Sequence, residues 1–367
     1  MIELLEACVR IRSLSGQEQP VAEFLCDQMA SRGFRSKVDS AGNAVGTVGD
    51  GPRQLVLLGH MDTVDGDVPV RYQDGALYGR GTVDAKGPLC AFILAAAQLR
   101  QESASLLQGW QIVVIGATEE EAVTSKGARY ALSQYRPELC IIGEPSGADG
   151  ITLGYKGRLV VSAHFDQPSR HTAVPGPSVA EQAVSLWNRL DAHARQFNAD
   201  KPKTFDQILP SLRSISTGDD GLHEWCDMML SLRLPVEAGP HQLQAEFESW
   251  NRTLGTQEAA QEGAEIVPAL PQLTFSGHEQ AYRTARDSAL ARAFVDAIRA
   301  EGMRPGFKLK TGTADFNVVG PVWHCPIVAY GPGDSALDHT PQEHVAVAEF
   351  ERSVRVLARV LRAVISN

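Results

Sequence analysis

The stretch LVLLGHMD, residues 55–62, decides how this chain folds. Its first half is a short, continuous apolar run, which is typical of a β-strand that is covered on both faces. The run leads directly into His60 and Asp62, which stand two positions apart and would point to the same face of a strand. In an open α/β sheet, side chains at the carboxyl ends of the strands converge on one crevice. The stretch therefore predicts a buried strand that delivers polar groups to a site.

Four further clusters of acidic residues and histidine are spread along the chain, and most of them follow an apolar run. They are TVD at 82–84, EEE at 119–121, GEP at 143–145 and LDHTP at 337–341. A turn, a helix cap or a solvated loop would explain each cluster taken singly. Two histidines and several carboxylates that meet at one sheet edge are instead the ligand types of a two-metal hydrolase. The number and placement of the clusters favour such a site.

Two of these clusters have local features that fit metal binding. Asp84 lies in the glycine-rich stretch GRGTVDAKG, residues 79–87, where the backbone can pack close to a site. An aspartate before a helix can be only its N-cap, but a carboxylate there can also bridge two metal ions. In the triplet 119–121, adjacent carboxylates repel one another unless cations neutralise them. Consecutive residues face different ways, so one glutamate can hold metal while its neighbour holds water. Glu144 is a single carboxylate that Pro145 holds rigid.

Composition limits the classes of protein to which the chain can belong. A length of 367 residues predicts two domains, and 43% hydrophobic with 21% charged residues is typical of a soluble globular protein. The net charge of −10 argues against nucleic-acid binding and against a basic membrane-docking face. No apolar run approaches the roughly 20 residues of a membrane helix. Without a basic segment at the N-terminus or any Cys-x-x-Cys pair, we expect a cytoplasmic protein with reduced thiols.

Hydrophobic periodicity predicts an α/β fold with an insertion. Up to Gly154, short apolar runs alternate with helical patterns, which favours a mainly parallel sheet with helices on both faces. Residues 159–165 and 228–234 instead alternate apolar and polar side chains, as in an antiparallel sheet with one covered face. The α/β pattern then resumes. We therefore predict a catalytic domain of residues 1–154 plus 279–367 and an inserted α+β domain of residues 155–278.

Signatures of other common enzyme classes are missing from the sequence. There is no Gly-x-Ser-x-Gly nucleophile elbow, no Walker A loop, and no Gly-x-Gly-x-x-Gly after a strand. His171 belongs to the predicted insertion. It is either an ordinary loop residue or a donor to a developing oxyanion.

With the clusters in this order, the chain resembles the M20 family of zinc peptidases and deacylases over nearly its whole length. The resemblance implies a catalytic domain with two Zn²⁺ ions, for which Co²⁺ can substitute, and an inserted lid and dimerisation domain. Asp84 would bridge the ions, with His60 and Glu144 on one and Glu121 and His339 on the other. Glu120 would be the general base, and Asp62 would orient His60. His171 would be the lid-domain histidine, which a homodimer partner often supplies.

Within the family, three stretches are similar to members of lysine and arginine biosynthesis that release lysine or ornithine from a small carrier protein. They are residues 154–158, 310–317 and 331–335. The resemblance implies that Arg233 holds a substrate carboxylate and that Gly312 and Thr313 shape the pocket. The substrate would be an acidic carrier protein bearing lysine, or a small N-acylated amino acid.

Two alternatives to the carrier-linked substrate stay open at the level of the sequence. One is an N-acetylornithine or N-acetyl-lysine deacetylase, or another M20 peptidase, which keeps the chemistry and changes the substrate. The other is an inactive binding protein, which would be expected to lose a ligand or the base. An acidic carrier requires basic residues to steer it, and the sequence suggests Arg80, Lys86, Lys156 and Arg158.

Overall fold

The computed structural model describes residues 1–102, 104–171, 173–259 and 270–366. The helices in these ranges are α1 (Ile2–Val9), α2 (Gln19–Ser31), α3 (Lys86–Glu102), α4 (Lys126–Gln134), α5 (Val179–Asn198), α6 (Pro240–Ala259), α7 (Ala289–Ala300), α8 (Asp315–Trp323) and α9 (Val347–Ile365). The strands are β1 (Arg35–Val38), β2 (Ala44–Val48), β3 (Arg53–His60), β4 (Arg71–Gln73), β5 (Ala76–Tyr78), β6 (Trp110–Ala117), β7 (Leu139–Gly143), β8 (Gly150–Tyr155), β9 (Gly157–Pro168), β10 (Leu209–Asp219), β11 (His223–Leu234), β12 (Gln272–Ser276), β13 (Tyr282–Arg283), β14 (Gly306–Lys310), β15 (Ile327–Ala329) and β16 (His344–Ala346).

The largest sheet follows the order β1-β2-β6-β3-β7-β15-β8-β13, with β14 also paired to β8. Its four central strands, β6, β3, β7 and β15, are parallel, whereas β1, β2 and β8 pair with their neighbours in antiparallel fashion. The predicted α/β class with parallel strands and flanking helices is confirmed, and the sheet as a whole is mixed. The antiparallel strands lie on either side of the parallel centre, in which β3 contains the apolar run of the stretch 55–62.

A row of glycines lets α3 pack closely on the centre of this sheet. Gly59 stands opposite Gly116 of β6 and opposite Gly143 of β7. A Cβ atom at Gly143 would lie 2.9 Å from the ring of Phe92 on α3. Helix α3 is apolar around most of its surface and largely buried, because it packs on the sheet and also on α1 and α9. The glycines therefore fix the distance between α3 and the carboxyl ends of the central strands.

A separate antiparallel sheet follows the order β10-β11-β9-β12. Strands β9 and β11 alternate buried and less buried residues along their length, which is the pattern that the sequence shows there. Helices α5 and α6 contact this sheet, and their apolar side chains share one hydrophobic cluster with Val161, Leu230 and their neighbours. Strand β10 is an addition to the prediction. Most of its residues are exposed, so they carry no alternation that the sequence could reveal.

The chain divides into two compact units. The first unit comprises Met1–Gly154, Arg283–Lys310 and Ala314–Asn367, and the second comprises Tyr155–Tyr282 and Thr311–Thr313. The roles assigned above to residues 155–278, a lid and a dimerisation surface, stay predictions. Within the described residues, none of the helices has the length and hydropathy that spanning a bilayer demands.

Candidate metal centre

Three neighbouring parallel strands end at the same level in the first unit. His60, the last residue of β3, stands opposite Ala117 at the end of β6, and Gly59 stands opposite Gly143 at the end of β7. Glu144 directly follows the end of β7, and the triplet 119–121 follows the end of β6 after one intervening residue. The register of the sheet therefore brings the acidic clusters of three separated segments to one edge, as expected where parallel strands share a direction.

Asp84 lies between two groups of candidate ligands. Its Oδ1 is 3.1 Å from Nε2 of His60, and its Oδ2 is 3.0 Å from Nε2 of His339. Nε2 of His339 is also 3.0 Å from Oε1 of Glu121, and Nε2 of His60 is 4.0 Å from Oε1 of Glu144. Two triads, each with its ligand atoms within 4.8 Å of one another, share Asp84 and are His60–Asp84–Glu144 and Asp84–Glu121–His339. The structure thus brings together all five residues that the resemblance implies as ligands.

Distances alone do not separate the roles of the two neighbouring glutamates. His60, Glu120 and Glu121 form a third group within the same 4.8 Å limit, and Oε2 of Glu120 is 3.8 Å from Nε2 of His60. Glu121 differs in its contact with His339. The assignment of Glu120 as base and Glu121 as ligand stays a prediction.

The charge balance of the cluster suits divalent cations. Burial raises the pKa of Glu120 and of Glu144 well above the usual carboxyl range, and nearby carboxylates raise both further. Burial opposes ionisation of Asp84, but hydrogen bonds from His339 and His60 hold the pKa of Asp84 below its usual value. Buried carboxylates that crowd one another require positive charge. With imidazole and carboxylate atoms grouped around a shared aspartate, the donor set fits two borderline metal ions such as zinc.

Asp62 is buried next to the cluster. Its carboxylate contacts both the backbone N–H groups of the acidic triplet and the ring of His60. Oδ1 of Asp62 accepts a hydrogen bond from Glu120 N at 3.1 Å, and Oδ2 accepts one from Glu121 N at 3.0 Å. The Asp62 carboxylate is 3.3 Å from Nδ1 of His60, and the Asp62 carbonyl oxygen lies closer to that nitrogen, at 3.0 Å. Ser15 donates its hydroxyl to the same carboxylate at 2.7 Å. Asp62 is therefore placed to fix the His60 ring and both glutamates.

Lys310 and Asp338 also interact electrostatically with the centre, although no role is predicted for either from the sequence pattern. Burial raises the pKa of Asp338 to about 8, and the carboxylate of Asp84 adds to this rise. Burial lowers the pKa of Lys310, whereas Asp338 and Glu144 favour its charged form. Lys310 begins the stretch 310–317, and Asp338 belongs to the acidic cluster 337–341. Their place in these two stretches was the signal that could have identified them.

The residues predicted to bind substrate belong to the second unit. Arg233 on β11 donates from Nη1 to Oγ1 of Thr313, and Thr313 donates in turn to the carbonyl oxygen of Lys156 at 3.3 Å. Gly312 has open space where a Cβ atom would be. His171 is exposed on the segment between β9 and α5, where its Nδ1 accepts a hydrogen bond from Ala173 N at 3.2 Å. Arg233 and Thr313 thus lie together, and their contact with substrate stays a prediction.

The four basic residues proposed to steer an acidic carrier are engaged within the protein, and burial contradicts that role for Lys86 and Lys156, whereas for Arg80 and Arg158 it stays a prediction. Lys86 is 1% exposed and donates to the carbonyl oxygens of Cys8 and Ile11. Lys156 is fully buried, its ammonium donates to the carbonyl oxygens of Thr204, Phe205 and Gln207, and burial lowers its pKa to about 8. Arg80 is paired with Glu343 and Arg158 with Glu279. Charge in the sequence did not reveal these internal partners.

Comparison with known proteins gives a family and a set of relatives. The profile of the peptidase family M20/M25/M40 matches residues 56–363. The chain is 47% identical to a Deinococcus radiodurans protein named [LysW]-lysine hydrolase, over 100% of this chain and 97% of that one. It is 36% identical to a putative [LysW]-lysine/[LysW]-ornithine hydrolase of Thermococcus kodakarensis, over 98% and 91%. The fold is similar to that of an M20 family metallo-carboxypeptidase from Sulfolobus solfataricus, with a TM-score of 0.75, 16% identity, and coverage of 99% of each chain.

Proposed function

This chain belongs to the peptidase family M20/M25/M40, and from that membership we propose that it is a two-zinc amidohydrolase that releases lysine from a small carrier protein. The observation that carries the proposal is the 47% identity to a [LysW]-lysine hydrolase along the full chain. The name of the Thermococcus relative includes ornithine beside lysine. Ornithine is therefore the second amino acid that we propose as a product. Biosynthesis of lysine or arginine in the cytoplasm is the corresponding role.

Five residues of the first unit would hold the ions. His60 and Glu144 would bind one ion, Glu121 and His339 would bind the other, and Asp84 would bind both, because its two oxygens face the two histidines. When bound, such ions supply a water of lowered pKa and polarise the amide carbonyl. The donor set of imidazoles and carboxylates supports zinc, and Co²⁺ accepts the same ligands.

The remaining roles concern protons and orientation. Glu120 is largely enclosed at the centre, with Oε2 3.8 Å from Nε2 of His60, and would take a proton from water and pass it to the leaving amine. Asp62 would keep His60 in one orientation through the contacts at Nδ1. His171 would donate to the oxyanion, and Arg233 would bind a carboxylate of the substrate, with Gly312 and Thr313 beside it.

A deacylase that acts on a small N-acylated amino acid is the second candidate. The observation that favours it is that Lys86 and Lys156 are buried on carbonyl oxygens and that Arg80 and Arg158 are paired with glutamates, which weakens the docking charge proposed from the sequence. A small substrate requires a pocket and no docking surface. A second copy of the chain, joined through the second unit, is compatible with either substrate.

The two candidates are separated by comparing substrates on one enzyme preparation. The zinc-loaded protein is given carrier-linked lysine, N-acetyl-lysine and N-acetyl-ornithine, and the free amino acid is measured by chromatography. We expect kcat/KM for the carrier-linked amide to exceed that for both acetylated amino acids. The Glu120→Gln variant serves as the control for contaminating hydrolases. Efficient cleavage of an acetylated amino acid without release from the carrier would instead establish the deacylase.

A further inference from the structure

Glu343 is a fully buried carboxylate that the reaction described above does not use. Its Oε1 accepts three backbone hydrogen bonds from the segment that carries Asp84: from Gly81 N at 2.9 Å, Val83 N at 3.0 Å and Asp84 N at 3.2 Å. Its Oε2 accepts a hydrogen bond from Nη1 of Arg80 at 2.7 Å. One side chain therefore satisfies three N–H groups of the Asp84 segment and one guanidinium.

The main chain places Glu343 beside the start of this segment. Strand β16 pairs with β5 so that His344 stands opposite Tyr78, and Gly79 N donates to the carbonyl oxygen of Glu343 at 3.3 Å. On the other side, Glu343 follows His339 along the chain after only three intervening residues. Glu343 thus connects the segment that carries Asp84 with the segment that carries His339. Oδ2 of Asp84 and Nε2 of His339 are 3.0 Å apart.

The Asp84 segment needs an acceptor from outside itself. Gly81 has a φ of +88°, and a Cβ atom there would lie 3.0 Å from side-chain atoms of both Lys86 and Thr63. The backbone is therefore held in a tight path in which the N–H groups of Gly81, Val83 and Asp84 converge on one point. Buried N–H groups without an acceptor are costly, and a carboxylate oxygen accepts several of them more strongly than a neutral group does.

We propose that Glu343 is a positioning residue: it fixes the backbone of Asp84 so that the Asp84 carboxylate stands where it can bind two metal ions. The inference rests on the proposed function, since it takes Asp84 and His339 as ligands. Arg80 in turn holds the Glu343 side chain in place. Its Nη1 donates to Oε2 of Glu343, and its Nε donates to the carbonyl oxygen of Gly66 at 2.9 Å. Glu343 touches neither substrate nor the proposed ligand atoms and acts through the backbone of Asp84.

The test is binding of Co²⁺ to the metal-free protein, followed by its visible d–d absorption. Glu343→Gln preserves the shape of the side chain but turns an amide N–H₂ toward Arg80 or toward the backbone donors. We expect the dissociation constant for Co²⁺ to rise by roughly 10- to 100-fold, as for other residues that orient metal ligands, and the d–d bands to shift. A purely structural role would lower thermal stability and leave affinity and spectrum unchanged, which would overturn the proposal.

The matched control is Glu301→Gln. Glu301 is also a largely buried carboxylate of the first unit, and it accepts hydrogen bonds from Arg355 and Arg359, each at 2.8 Å. Glu301 is the C-cap residue of α7, and both arginines lie on α9. Within the described part of the chain, it makes no hydrogen bond with the segments that carry Asp84 and His339. We expect it to bind Co²⁺ with wild-type affinity and spectrum. An equal loss in both variants would show that any buried carboxylate has this effect and would overturn the proposal.

Two further variants keep the outcome interpretable. If Glu343→Gln does not fold by circular dichroism, Arg80→Gln removes the donor at Oε2 while leaving Glu343 in place. We expect a smaller rise of several-fold in the dissociation constant, whereas unchanged binding and spectrum would overturn the proposal. Asp84→Asn tests the premise. Loss of Co²⁺ in Asp84→Asn with full binding in Glu343→Gln refutes the positioning role alone, and full binding in Asp84→Asn refutes the ligand set.

Discussion

At the scale of single residues, the acidic triplet is held by carboxylates from other parts of the chain. Glu119 N donates to Oε1 of Glu18 at 2.9 Å, and the next two amides donate to Asp62. Glu119 has a φ of +57°, in the left-handed region that is costly for a residue other than glycine. These external acceptors stabilise the turn, and the turn directs Glu120 and Glu121 into the centre from adjacent positions.

The proposed roles of the two glutamates lead to opposite expectations for metal content. Glu120→Gln removes the base but no ligand, so bound zinc should stay near two ions per chain while kcat falls by at least about 10²–10⁴-fold. Glu121→Gln removes a ligand that contacts His339, so metal should be lost as well. Elemental analysis after gel filtration, paired with the hydrolysis assay, measures both effects. Equal metal content in the two variants would mean that the roles within the triplet are assigned incorrectly.

At the scale of secondary-structure elements, the glycine row under α3 connects packing to the centre. A Cβ atom at Gly143 would lie 2.9 Å from the Phe92 ring and 3.1 Å from the backbone of Gly59. Both neighbours are buried in the core, so neither has free space into which it can move. The end of β7 would have to shift, and Glu144 follows it directly.

Gly143→Ala should therefore affect both stability and metal binding. We expect overpacking to lower the free energy of unfolding by about 1–3 kcal/mol and the affinity for Co²⁺ to fall with it. Gly306→Ala is the matched control, because this strand glycine of the same unit has nothing within 4 Å of the added Cβ. Urea unfolding of the metal-free proteins and Co²⁺ titration are the measurements. Wild-type values for Gly143→Ala would show that α3 and β7 adjust without disturbing the centre.

At the scale of the whole molecule, the groups that we assign to the reaction come from both units. All candidate ligands lie in the first unit, whereas His171, Arg233 and Thr313 belong to the second. An oxyanion donor from the second unit would come from the same chain or from a second copy.

The His171→Ala variant tests this arrangement. We expect kcat to fall by roughly 10²–10³-fold, as for the loss of one oxyanion donor, with bound metal unchanged because no candidate ligand is altered. Mixing it with Glu120→Gln chains under conditions that exchange subunits tests where the histidine comes from. Recovery of activity would show delivery by the partner subunit, and no recovery would favour the same chain. A His171→Ala enzyme with wild-type kcat would return His171 to an ordinary loop position.

The sequence by itself determined the chemistry and the fold class. Local order along the chain was sufficient for both, because His60, Glu144 and the triplet follow buried apolar runs whose parallel pairing brings them to one edge. Family motifs then supplied the likeness to amide hydrolases.

Only the tertiary structure decided which charged side chains are occupied inside the protein. Lys156 reads as a free basic residue in the sequence, yet it is buried against the carbonyl oxygens of a turn some fifty residues away. Glu343 reads as an ordinary glutamate after a loop, yet it accepts hydrogen bonds from Gly81 and Asp84, about 260 positions earlier. Strand β10 carries too few buried residues to show a period. In each case the partner is distant in the chain, and neither composition nor periodicity records a contact of that kind.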